Sequence, residues 1–293
     1  MGLRIRTNVS SLTAQRFMNG NNQDMKNSLD RLSSGYRINK SSDDAAGLAI
    51  SENLRGKIRS LNVAKRNAND AISMVQVAEG SMNEMTNILI RLRELSVQAA
   101  TDTVGERERS FLNREYVQLV DELDRIGQVT EFNGLHLFDK ENENTSFTIQ
   151  VGQNSTPDSD VDPNIIKINL EGLKFDSETL ELGKEAEIGP AAGETEGPSR
   201  ESIAEKITTL DNALLRIASE RASLGATQNR LNSAISNLEV SVENQEIAKS
   251  RIKDVDFASE TAKLTQANIM RASNTSVLAQ ANAAPEIALQ LLR

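Results

Sequence analysis

Cysteine is absent from the 293 residues, so neither a disulfide nor a thiolate metal site can form. Tryptophan is absent too, tyrosine occurs only at Tyr36 and Tyr116, and aromatic residues make up 3% of the chain. Aromatic side chains fill much of a thick core, so apolar burial is expected here in thin seams between helices. The one histidine, His136 in EFNGLHLFD, has neither a second histidine nor a cysteine to complete a common zinc set. HExxH, GxSxG, GxxxxGK[ST] and GxGxxG, the usual handles for peptidase, hydrolase and nucleotide sites, are all missing. No catalytic, metal or cofactor residues are therefore expected, and an enzyme is not. No apolar run approaches the roughly 18 residues of a membrane span. MGLRIRTNVSSLTAQ lacks the apolar core and small-residue cleavage site of a secretory signal.

Charge is unevenly placed. The formal net charge is −9, and the stretch from Lys140 to Ser199 alone holds 13 acidic and 4 basic residues, leaving the remainder neutral. A balanced body with an acidic insert offers no basic stripe for nucleic acid.

Proline is scarce and clustered. None precedes Pro157; Pro157, Pro163, Pro190 and Pro198 fall in the acidic insert, and Pro285 stands near the end. Residues 1–139 and 200–284 are thus free to be helical. Within the insert, FTIQVG (147–152) and IIKINL (165–170) alternate with β-branched residues and read as two short strands.

The flanks carry the periodicity of helix-on-helix seams. Ile203, Ile207, Leu210, Leu214, Ile217, Leu224, Leu231, Ile235, Leu238 and Val242 keep an alternating four-three spacing, interrupted only at Arg221 and Gln228. Leu54, Ile58, Leu61, Ala68, Ile72 and Val75 hold one phase. After a slip, Ala78, Met82, Met85, Leu89 and Leu92 hold another. Leu112, Tyr116, Leu119, Leu123 and Ile126 form a third such segment, with TDTVGERE (101–108) as the turn before it. A helix from about 43 to 100 is on the order of 85 Å long and must cover its apolar stripe. The fold expected is mainly α: a long antiparallel, coiled-coil-like helical hairpin or three-helix rod with a small β-hairpin region in the middle of the chain.

Both ends are weaker. Residues 1–35 and 255–293 are rich in Ala, Ser, Asn and Gln with scattered Ile5, Val9, Leu12, Leu264, Ile269, Val277, Leu289 and Leu292. Their apolar faces are too narrow to bind firmly inside one molecule, so they are expected to order against other copies of the chain.

SSDDAAGLAI (41–50) sets two carboxylates side by side. Ser41 with Asp44 three residues on has the spacing of a capping box, and Asp43 and Asp44 suit the positive end of a helix. No base, metal ligand or third carboxylate accompanies them, so the pair marks a helix start and not a catalytic site.

Several long stretches resemble bacterial flagellin: RLSSGYRINKSSDDAAGLAISENLRGKIRSL (31–61), RNANDAISMVQVAEGSMNEMTNILIRLRELSVQAA (66–100), TEFNGLHLF (130–138), RASLGATQNRLNSAISNLEVSVENQEIAKSRIKDVDFASE (221–260) and SVLAQANAAPEIALQLLR (276–293). The resemblance covers nearly all of 1–140 and 200–293. It implies a secreted, extracellular subunit of the bacterial flagellum filament, polymerising with its own copies; a hook–filament junction protein of the same superfamily is the alternative. Residues 1–40 and 255–293 then form the filament's inner core, 41–140 and 200–254 a helical rod domain, and 141–199 a short surface-exposed variable insert. The implied partners are flagellar junction and cap proteins, a flagellar export chaperone and the type III export apparatus, with no membrane insertion. Arg91, Leu95, Gln98 and Glu115 match the family's subunit-packing and innate immune receptor contact face. One departure from the family pattern is Arg6, which precedes Thr7–Asn8.

Overall fold

A computed structural model of the protein describes residues 7–138, 146–154, 162–169, 177, 180, 188–190 and 198–290. Its elements, in chain order, are α1 (Val9–Ser34), α2 (Ala45–Ala99), α3 (Glu106–Val129), β1 (Glu131–Phe132), β2 (Leu135–His136), β3 (Ser146–Gln150), β4 (Ile165–Asn169), α4 (Arg200–Lys253) and α5 (Phe257–Gln290). The chain divides into two compact units: Ser60–Ser241, and Met1–Arg59 with Val242–Arg293. Among the described residues no helix is long and apolar enough to cross a membrane.

In the unit Ser60–Ser241, parts of α2 and α4 run antiparallel with α3 beside them. Their direction is read from four ion pairs, Lys65–Glu239, Glu79–Arg221, Arg93–Asp211 and Asp102–Arg200, whose numbers rise along one side of the unit as they fall along the other. Such exposed pairs add little stability; burial between them holds the unit together. Ile203, Leu210, Ile217, Leu224 and Leu231 on α4 recur every seven residues and are buried, facing Ala71, Met82, Leu89 and Leu92 of α2 and Leu123 of α3 in one core. The intervening Ile207, Leu214 and Ile235 are only half-buried. Each fully buried aliphatic side chain contributes about 1.5–3 kcal/mol.

α3 starts with Glu106 and Glu108 in its first turn, where the helix dipole favours acids. It ends at Thr130, whose hydroxyl bonds Ile126 and Ser81. Asn133 (φ 53°) and Gly134 (φ 77°) follow in the left-handed region and make the tight turn between antiparallel β1 and β2. The two insert strands pair antiparallel, Phe147 opposite Ile168 and Ile149 opposite Ile166.

The insert also supplies core. Ile168, Leu180 and Ile188 are buried in the cluster with α2, α3 and α4. Two polar anchors tie insert to α3: buried Asn113 accepts from the Ile188 amide at 2.9 Å, and Asp124 accepts from the amide and hydroxyl of Ser177. A Cβ on Gly189 would overlap the backbone of Arg109, so this close approach requires glycine.

In the other unit α1 pairs with α5. The chain leaves α1 at Gly35 and crosses to α2 beside the segment linking α4 to α5: Arg37 N–H donates to Lys253, Val255 N–H to Gly35, and Tyr36 bridges Asp254. The Arg37 guanidinium donates to the carbonyls of Arg251 and Ile252, satisfying the end of α4. α5 continues through Pro285, where one helical amide donor is lost.

Candidate assembly interface

The seam between α1 and α5 is built from small and polar residues. Buried Ala14, Asn21 and Ser28 follow one another at seven-residue intervals on α1, and Glu260 and Ala267 do so on α5. Asn8 caps α1 by accepting from the Ser11 amide while its own amide donates to Ala281 at 2.7 Å. Ser11 donates to Asn282, Asn21 donates to the Ala267 carbonyl, and Ser28 donates to Glu260. These pairs run antiparallel and replace apolar packing with specific polar contacts.

Glu260, only 3% exposed, is the charged member of this seam. Burial pushes its pKa up, but hydrogen bonds from Ser28 and Lys263 and the nearby Arg31 outweigh that and hold it below the ordinary value.

With polar groups inside, apolar side chains of the pair face outward. Val9, Leu12, Phe17 (62% exposed), Ile269 (66% exposed), Met270 and Val277 are exposed, Phe17 with the Arg16 guanidinium 5.9 Å from its ring centre. Leu264 is half-buried and Leu289 lies within the span of α5, whereas Ile5 and Leu292 fall outside the described residues. Several large apolar side chains left exposed on one helix pair are material for an interaction site.

The 41–44 segment differs in detail from the capping-box spacing. Asp44, not Ser41, sits at the N-cap of α2: its carboxylate accepts from the Gly47 amide and its carbonyl from Leu48. Asp43 instead closes the preceding turn, accepting from the amides of Lys40 and Asn39, which lower its pKa in that order of effect. Ser41 is an exposed turn residue. The two carboxylates thus cap two different pieces of backbone.

Arg91 on α2 reaches Glu115 on α3 with two guanidinium nitrogens at 2.9 and 2.7 Å and Glu94 with a third at 3.0 Å. Its pKa is raised, chiefly by Glu115 and then by Glu94. Gln98 is exposed, but Leu95 is 1% exposed and part of the core. The structure therefore presents Arg91, Gln98 and Glu115 at the surface and turns Leu95 inward. Among the described residues, no group of three or more His, Asp or Glu is placed to hold a metal ion.

Comparison with known proteins decides the family. Residues 5–143 match the bacterial flagellin N-terminal helical region and residues 207–292 its C-terminal helical region. A flagellin of Halalkalibacterium halodurans is 39% identical over 289 residues, covering 99% of both chains. The chain belongs to the bacterial flagellins. Flagellin B of Vibrio anguillarum is 36% identical over 379 aligned residues with both chains fully covered. A crystal structure of Bacillus cereus flagellin aligns at 30% identity and a TM-score of 0.45, covering 59% of this chain and 88% of that one.

Sequence reasoning passed over Asn21, Ser28 and Glu260 in this flagellin, and Asn113 and Asp124 on α3. The signal for the first three was present as a heptad of small and polar residues, which a search for apolar periodicity does not register. Asn113 and Asp124 bond insert residues 75 and 53 positions away, which no local pattern announces.

Proposed function

We propose that this chain is the structural subunit of the bacterial flagellar filament and polymerises by packing the outward faces of α1 and α5 against the same helices of neighbouring copies. One observation carries this reading: the helix pair buries Asn21, Ser28 and Glu260 inside while exposing Phe17, Ile269 and Val277 outside. Covering such a surface gains about 25 cal/mol per Å², set against the entropy of ordering two chain ends. Small residues such as Ala267, Ala279 and Ala281 permit close helix approach.

In that assembly residues 1–40 and 255–293 line the inner core, 41–140 and 200–254 form the helical body, and 141–199 contributes the outer insert. Family membership supports export to an extracellular filament through the type III apparatus, with an export chaperone in the cytoplasm and junction and cap proteins at the filament's ends. The exposed Arg91 and Gln98 with the half-buried Glu115 support an innate immune receptor contact that does not include Leu95 as a surface group.

The test is electron microscopy of purified chain added to filament seeds. The full chain is expected to extend them into tubes of uniform width, and chains lacking residues 1–30 or 265–293 to stay soluble and helical without polymerising. Normal filaments from either truncate would overturn the mechanism.

A further inference from the structure

Between α2 and α3 lies an open groove of about 650 Å³. Val77, Ile88, Ile126 and Val129 give it an aliphatic lining, with Val129 58% and Val77 39% exposed. Its rim is acidic. Glu122 is matched by Arg125 through two 2.7 Å hydrogen bonds, but Glu84 and Glu131 hold no ion pair among the described residues. An occupant must therefore bring an apolar tip flanked by positive charge.

The same unit carries such a group elsewhere. Near the start of α3, Phe111 is 54% exposed, and the Arg114 guanidinium carbon lies 5.8 Å from its ring centre. Arg107, one turn earlier at four-residue spacing, shares that face and is exposed. Neither arginine meets a carboxylate among the described residues. Phe111 and Ile126 stand on one rigid helix about 22 Å apart at 1.5 Å per residue, so knob and groove cannot meet within a molecule.

We propose that the Phe111 knob of one copy seats in the α2–α3 groove of the next, with Arg107 and Arg114 facing Glu84 and Glu131. The proposal rests on the filament reading above and names one contact within it. Knob and groove are different surfaces, so the contact is heterologous and repeats from copy to copy instead of pairing two copies off. It sets neighbouring copies about 22 Å out of step along α3, the separation of knob and groove on that helix. Opposite charges at the two surfaces select this register over like-charge alternatives.

Charge reversal with rescue tests it. One variant carries Glu84→Arg and Glu131→Arg, a second Arg107→Glu and Arg114→Glu, and a third all four changes. All four side chains lie at the surface, and far-UV circular dichroism checks that each monomer remains helical. In seeded polymerisation, each double variant is expected to raise the critical concentration at least about tenfold, as like charges meet, and the quadruple variant to return it close to the starting value. Double variants that polymerise like the parent chain, or loss without rescue in the quadruple variant, overturn the pairing. Normal polymerisation with loss of motility in cells assigns the groove to another partner and overturns it equally. If the unmodified chain fails to extend seeds, the filament reading itself falls, which separates the two failures.

Discussion

The Ser28 hydroxyl donates a 2.7 Å hydrogen bond to the carboxylate of Glu260, 232 residues further along the chain. Arg31 at 3.8 Å and Lys263 at 3.1 Å complete the setting of this buried acid. A buried polar contact in a helix seam fixes register at some cost in stability. Here it is the charged member of a seam in which Asn8–Ala281, Ser11–Asn282 and Asn21–Ala267 also fix how α1 lies along α5.

Glu260→Ala should therefore loosen the pair by about 2 kcal/mol, the worth of a hydrogen bond to a charged group. Hydrogen exchange of α1 and α5 amides in assembled filaments reads that loss. Glu260→Leu should recover part of the stability through burial but not the register, giving filaments of mixed width in electron micrographs.

The same carboxylate makes the pair acid-sensitive. Its folded pKa lies below the ordinary value of 4.5, so its stabilisation is fully present above about 4.5 and fades as pH falls through the lower, folded value. Melting temperature plotted against pH should drop more steeply below that point for the parent chain than for Glu260→Gln. Identical slopes would show that this group does not govern the acid limb.

Asp44 caps the longest helix. Asp44→Ala should cost about 1 kcal/mol, and Asp44→Ser much less, because a serine oxygen also reaches the Gly47 amide. Thermal unfolding followed by circular dichroism distinguishes the two, and equal losses would remove the capping role.

Asn113 holds the insert by accepting from the buried Ile188 amide. Asn113→Ala leaves that donor without a partner, at about 1–3 kcal/mol. Faster amide exchange at Ile188, with the β3–β4 pairing of Phe147 and Ile168 still protected, is the expected pattern.

Most of the helical architecture was legible in the chain because its apolar residues repeat. The seven-residue line from Ile203 to Leu238 and the stripe from Ala78 to Leu92 both emerged as buried faces of α4 and α2. The strands at 146–150 and 165–169 announced themselves by β-branched alternation. Three things were not legible. Leu95 shares the exposed-looking neighbourhood of Arg91, and only the packed α2–α3–α4 core shows it facing inward. The terminal seam follows a heptad of Ser, Asn and Ala, so its order is carried by hydrogen bonds that composition does not reveal. The helix start was read at Ser41, Asp43 and Asp44 together; that Asp44 caps α2 while Asp43 closes the Asn39–Lys40 turn is a division of labour between neighbouring acceptors that spacing alone cannot resolve.

Tyr116 supplies the last test. Its side chain is buried in the core, and its hydroxyl meets no hydrogen-bond partner there. Burial pushes its pKa from 10.0 to about 12. A buried unpaired hydroxyl is a cost, so Tyr116→Phe should leave stability unchanged or raise it by up to about 1 kcal/mol, the opposite sign from most core substitutions. The neutral phenol is favoured in the folded state. The parent chain should therefore keep this contribution below pH 10 and lose it as pH rises through about 12. Denaturant unfolding at pH 8 and again near pH 11 separates the variant from the parent. If Tyr116→Phe is clearly destabilised at pH 8, the hydroxyl has a partner in solution and the account of this core position fails.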